Sequence, residues 1–146
     1  MDDTGARDAV AIRRVVETAL YVDDMHRAVA FYRDALGLDV LGGEGERLTA
    51  LDAGGATLLL LFKRGATTGG LTFPGGRIPP HDGAGPVHVA FAVDANALER
   101  WEQRLRERHI EVESRVTWTR GGRSLYFRDP DGHSLELVTP GTWETY

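Results

Sequence analysis

The chain contains no cysteine. Disulfides, thiolate metal ligands and a thiol nucleophile are therefore excluded. A long apolar run is also missing. The longest, Leu58–Phe62, is far too short to cross a bilayer. Excess positive charge is absent too: 17 Lys and Arg face 22 Asp and Glu, for a net charge of −5. An acidic surface argues against nucleic acid or an anionic membrane as partner. Met1-Asp2-Asp3 opens the chain without an apolar stretch, so no secretory leader is expected and the cytoplasm is the expected compartment.

What is present is ordinary for a globular protein: 146 residues, 42% hydrophobic and 27% charged. That length suits one domain, or two small modules sharing a core. Residues 1–13 read as a polar, flexible tail. Residues 14–64 read as a first module. Val15–Val22 is a strand, and Asp23 or Asp24 caps a helix with Ala28, Phe31, Tyr32, Ala35 and Leu36 on one face. Gly37 ends that helix, and strands follow at Leu38–Leu41, Arg47–Leu51 and Ala56–Phe62. Residues 65–86 hold seven Gly and four Pro, which predicts a plain linker or a lid with no core of its own. Residues 87–146 restart the pattern. Val87–Val93 is a strand, Asp94 caps a helix bearing Leu98, Trp101 and Leu105, and strands follow at Ile110–Val116, Arg123–Phe127 and Ser134–Thr139.

The two halves overlay. Glu17–Asp23 lies over His88–Asp94, and Asp52–Leu60 over Asp129–Leu137, with a longer loop in the second copy near 118–122. The expected fold is α+β: two βαβββ modules in tandem, forming a cupped mixed β-sheet with helices outside. Asp129-Pro130-Asp131-Gly132 marks a tight turn between two alternating runs, so Arg123–Thr139 reads as a hairpin.

Period 2 sorts the faces. Val87, Val89, Phe91 and Val93 form the bulky side of their strand, which should pack on the helix. His88, Ala90 and Ala92 then face the hollow. Glu17, Ala19 and Tyr21 share the equivalent face of the first strand, and Glu136 lies between Leu135 and Leu137 on the inner side of the last. Two carboxylates and an imidazole suit a divalent ion such as Mn²⁺, Fe²⁺ or Zn²⁺, with Ni²⁺ or Mg²⁺ also compatible. Three protein ligands leave positions open for substrate. The competing reading is two solvent-facing glutamates and one satisfied histidine. Arg120 and Arg123 stand beside Gly121-Gly122, where they either hold an anionic substrate at the rim or are solvated. His133 follows a turn glycine and is expected to be exposed, as are His26 and His109. His81, in the 65–86 loop, is the one outside general base available. Trp118 and Trp143 are candidates for walling the opening or an interface.

These residues resemble the vicinal oxygen chelate superfamily, which includes glyoxalases, extradiol dioxygenases, fosfomycin-resistance enzymes, methylmalonyl-CoA epimerases and bleomycin-resistance proteins. The resembling stretches are Glu17–Val22 with Asp24, Ala30-Phe31-Tyr32 through Leu36-Gly37, Val87–Val93, and Leu125–Glu136. The resemblance implies metal ligands at His88 and Glu136, and at Glu17, where many members have histidine. Glyoxalase-type and epimerase-type members use a fourth ligand in the last strand of the first module, where the repeat overlay puts Leu59, and this disfavours a glyoxalase I reaction. Leu59 and Leu61 are then expected to give the cavity an apolar wall. Tyr126 is a candidate catalytic group that either hydrogen-bonds a metal-bound oxygen or fills the cavity, and Ser124 and Tyr21 are candidates at the substrate. A Ser-x-Tyr pair is shared with the fosfomycin enzymes, although their basic C-terminal segment is missing here. Two function classes follow. One is a metal-dependent lyase, isomerase, transferase or ring-cleaving dioxygenase acting on a small substrate through neighbouring oxygens, with Glu17 as ligand or base. The other is a metal-free binding protein of the bleomycin-resistance type. Many small members pair two chains, so a homodimer with modules exchanged between chains is expected.

Overall fold

A computed structural model describes residues 10–146, so the expected tail lies largely outside the described residues. Its folded part begins with β1 (Glu17–Val22), followed by α1 (Met25–Ala30), which continues as a π-helical turn over Phe31–Ala35. Asp24 starts the helix: its carboxylate accepts the Arg27 amide at 3.0 Å, and that bond holds its pKa below the usual carboxylate range. Gly37 ends it with φ +73°, a left-handed conformation that glycine adopts without steric cost. The chain then forms β2 (Asp39–Glu44), β3 (Leu48–Asp52) and β4 (Leu58–Lys63).

The second unit repeats this plan with β7 (His88–Ala92), α2 (Leu98–Glu107), β8 (Ser114–Thr117), β9 (Arg123–Arg128) and β10 (Ser134–Val138). Each sheet has its first strand parallel to its last, and the orders β1-β4-β3-β2 and β7-β10-β9-β8 are identical in plan. Two details differ from expectation. Asp94 makes no side-chain cap bond, because a 3₁₀ turn over Ala95–Ala97 precedes α2 and satisfies the Ala97 amide on the Asp94 carbonyl at 3.0 Å. The 65–86 segment is more than a linker: β5 (Leu71–Phe73) and β6 (Gly76–Ile78) pair within it as a small hairpin.

The helix-facing sides of both sheets feed one core. Leu20, Val22, Tyr32, Leu59 and Leu61 from the first unit join Leu105, Phe127, Leu135 and Leu137 from the second. Polar ties cross the same seam. The Tyr32 hydroxyl donates to Asp129 Oδ2 at 2.7 Å, and Asp129 Oδ1 accepts the amides of Asp131 and His133 at 3.0 and 2.9 Å. Burial first, and the Asp129 charge second, hold the Tyr32 hydroxyl far above its ordinary range, so it stays a donor. Arg104 of α2 donates to the Ala35 and Asp34 carbonyls at 2.8 and 3.0 Å, satisfying the open end of the first helix.

His133 overturns the expectation of exposure. It is 1% exposed, and its ring joins the two units. Nδ1 accepts the Val87 amide at 3.0 Å, which fixes Nε2 as the protonated nitrogen, and Nε2 donates to the Tyr21 carbonyl at 2.9 Å. His133→Ala leaves one amide and one carbonyl unpaired beside a void, an expected loss of about 3 kcal/mol. Urea unfolding measures it; an unchanged midpoint would contradict the bridging role.

Candidate metal centre

β7 and β10 place the site. They run parallel in the register Ser134↔His88 and Glu136↔Ala90, so His88 and Glu136 project from the same face of neighbouring strands, two residues out of step. His88 Nδ1 lies 2.9 Å from the Ser134 carbonyl. A carbonyl only accepts, so Nδ1 carries the proton and Nε2 presents its lone pair. That lone pair faces Glu136 Oε1 at 3.3 Å. Two acceptors this close need a cation between them, either a proton or a metal ion. A carboxylate oxygen and a histidine nitrogen bind zinc-like ions at about 2.0–2.2 Å each, a reach compatible with this separation. The Nδ1 bond is also the orienting contact that ligating histidines commonly have. The pair therefore fits a divalent metal.

Glu136 is 6% exposed although its side chain is a carboxyl group. Its hydrogen-bond partner explains how: Ser124 Oγ donates to Oε2 at 2.7 Å. Burial first, and the neighbouring Glu136 second, raise the Tyr126 pKa, so the phenol stays protonated at neutral pH. Tyr126 stacks on His88 with ring centroids 6.1 Å apart. The imidazole side chain is 51% exposed, leaving the open side of the pair to solvent.

Glu17 does not complete the set within the chain. It is exposed at the start of β1. Among the described residues of one chain, no group of three His, Cys, Asp or Glu side chains is placed to hold a metal. The two sheets share their core through their helix-facing sides.

Three further site expectations are corrected. Leu59 is not on the inner face. Its strand pairs with β1 as Glu17↔Leu58 and Ala19↔Leu60, so Leu60 is the counterpart of Glu136, whereas Leu59 and Leu61 are 1% and 0% exposed in the core. The apolar inner wall is Leu58, Leu60 and Phe62. Arg123 lies on the helix side with Leu125 and Phe127, where it pairs with Glu99 at 2.7 Å, and not at a rim. Ser124 is on the inner face but 1% exposed, so it meets Glu136 and not a ligand from solvent.

Tyr21 does lie on the inner side, and its hydroxyl is 2.6 Å from His81 Nδ1. The His81 ring also meets Phe62 edge-on at 4.7 Å, and its amide bonds the carbonyl of the fully buried Thr67 at 3.1 Å. A Cβ on Gly83 would fall 2.3 Å from the Tyr21 ring, so the loop crosses this sheet in close contact. His81 is thus latched to the first inner face and is not placed with His88 and Glu136. The role of Trp118 gave no signal in sequence: its indole N–H donates to Ser124 Oγ at 2.8 Å. His26 and His109 are exposed, as expected, and so is Trp143.

The family model for the Glyoxalase/Bleomycin resistance protein/Dioxygenase superfamily matches residues 14–137. The chain belongs to this superfamily. Within it, the chain is 32% identical over 119 residues to a metallothiol transferase FosB from Staphylococcus epidermidis, covering 81% of this chain and 77% of that one. A FosB from Staphylococcus haemolyticus is 31% identical with the same coverage. Among solved superfamily structures, one described as lactoylglutathione lyase from Agrobacterium tumefaciens is 34% identical, with a TM-score of 0.82 over 90% of this chain and 96% of that one. Oxidase ChaP-H2, at 21% identity and a TM-score of 0.67 over 90% and 97%, shares the fold.

Proposed function

We propose that the protein is a divalent-metal-dependent enzyme acting on a small substrate that approaches the ion through neighbouring oxygens. The observation that carries this is the facing pair His88 Nε2 and Glu136 Oε1, 3.3 Å apart and each fixed from behind. The named chemistry of the FosB relatives supports it, since a metallothiol transferase takes its name from a metal and a thiol. The third ligand is Glu17 from a second copy of the chain, whose first sheet closes over the His88–Glu136 face. This makes the protein a homodimer with two shared sites.

A bound ion would supply Lewis-acid polarisation of the substrate oxygens. The chain's own groups do the rest. Tyr126, kept protonated, stacks on His88 and sets its phenol beside the pair. Leu58 and Leu60, both half-buried, offer an apolar wall that excludes water and favours a partly apolar substrate. Leucine at position 60 leaves the glyoxalase-type fourth ligand missing. A transferase or dioxygenase type of site therefore fits better than the lyase activity for which the Agrobacterium protein is named.

Protein loaded with Mn²⁺ or Zn²⁺ and freed of excess should retain about one ion per chain by elemental analysis. His88→Ala and Glu136→Ala should each retain less than about a tenth of that. Metal content that survives His88→Ala removes the site. A wild type that holds no metal, yet binds planar organic ligands, points instead to a sequestering protein.

A further inference from the structure

We infer that Trp118 is a positioning residue for Glu136, acting through Ser124; this rests on the metal reading above. An indole N–H can only donate, so Ser124 Oγ accepts from it at 2.8 Å. The single hydroxyl proton of Ser124 is then committed to Glu136 Oε2 at 2.7 Å. The order of donation is fixed along the row: indole, hydroxyl, carboxylate. Accepting one bond polarises the hydroxyl and strengthens the one it gives to the anion.

The row decides how the carboxylate meets an ion. Oε2 is tied to Ser124, while Oε1 faces His88 at 3.3 Å. Ser124 and Glu136 are 1% and 6% exposed, so solvent does not substitute for the hydroxyl. Glu136 is thereby held to offer one oxygen and not two.

Trp118 is itself held by a tight turn. Its amide donates to the Gly122 carbonyl at 2.7 Å, and the Gly121 amide returns to the Trp118 carbonyl at 2.9 Å. Behind the turn, a Cβ on Gly122 would lie 2.6 Å from the Gly141 backbone, so the segment after β10 backs it closely. Trp118 as a residue remains 37% exposed.

Co²⁺ titration followed by calorimetry and visible absorption tests this on the wild type, Trp118→Phe, Ser124→Ala and the double variant. Ser124→Ala should bind Co²⁺ about 10- to 100-fold more weakly. It should also lose visible band intensity, as the freed Oε2 joins the ion and raises its coordination number. Trp118→Phe should shift both readouts the same way by a smaller amount, about 3- to 10-fold in affinity. In the Ser124→Ala background, Trp118→Phe should add nothing, because its route to Glu136 is gone. Additive losses, or wild-type affinity and spectrum in Trp118→Phe, overturn the positioning role and leave the metal reading standing. A wild type that takes up no Co²⁺ overturns both.

Discussion

Mixed subunits carrying Glu17→Ala and His88→Ala should regain about a quarter of wild-type metal content, although each variant alone binds almost none. If each site takes Glu17 from one chain and His88 with Glu136 from the other, a mixed dimer holds one doubly damaged site and one intact site. Random pairing makes about half of the dimers mixed. The basis is the separation seen in the single chain, where His88 and Glu136 face each other and Glu17 stands apart at the exposed start of β1. The two variants are co-refolded from denaturant and the metal is counted in the purified mixture. A mixture that stays at the single-variant level rules out exchange between chains. Full retention by Glu17→Ala alone removes Glu17 from the ligand set.

Leu59→Glu should unfold the protein at temperatures the wild type survives, whereas Leu60→Glu should fold. Leu59 is 1% exposed within the shared core, and a carboxylate there has no partner. The loss of leucine burial and the cost of an unpaired charge together amount to about 4 kcal/mol or more, or roughly 10 °C and upward in Tm. Leu60 is half-buried on the opposite, inner face, opposite Ala19. A glutamate there should cost less than about 1.5 kcal/mol. Paired melting curves decide it; equal tolerance at both positions would refute the strand register.

That register shows how far the sequence could be read. Alternation placed His88 and Glu136 on one face correctly, because bulky and small residues along β7 separate cleanly by period. The repeat overlay missed by one residue in β4. It was anchored on Asp and Gly in the two turns, and such residues answer to local turn geometry and not to ladder register. The strands themselves align Leu58 with Ser134, each opposite the first residue of its parallel partner. A one-residue slip exchanges the faces, which is why Leu59 lies in the core and Leu60 on the inner wall. Asp24 and Asp94 looked alike, yet only Asp24 caps with its side chain. His133 was hidden for another reason. Its acceptor, the Tyr21 carbonyl, is 112 residues away, and nothing local distinguishes a solvated histidine after a turn from a buried one joining two sheets. The Trp118–Ser124–Glu136 row was hidden likewise, since its logic is an order of donors across three strands' worth of chain.

The apolar inner surface belongs to β1 and β4, while the imidazole, the buried carboxylate and the phenol all belong to β7, β9 and β10. On the proposed reading, the first half supplies the apolar wall and Glu17, and the second half supplies the other reactive groups. If that reading holds, substitutions at Leu58 or Leu60 retune which molecules are accepted and leave the donor row around Glu136 in place, so specificity can change while the metal-facing groups stay fixed.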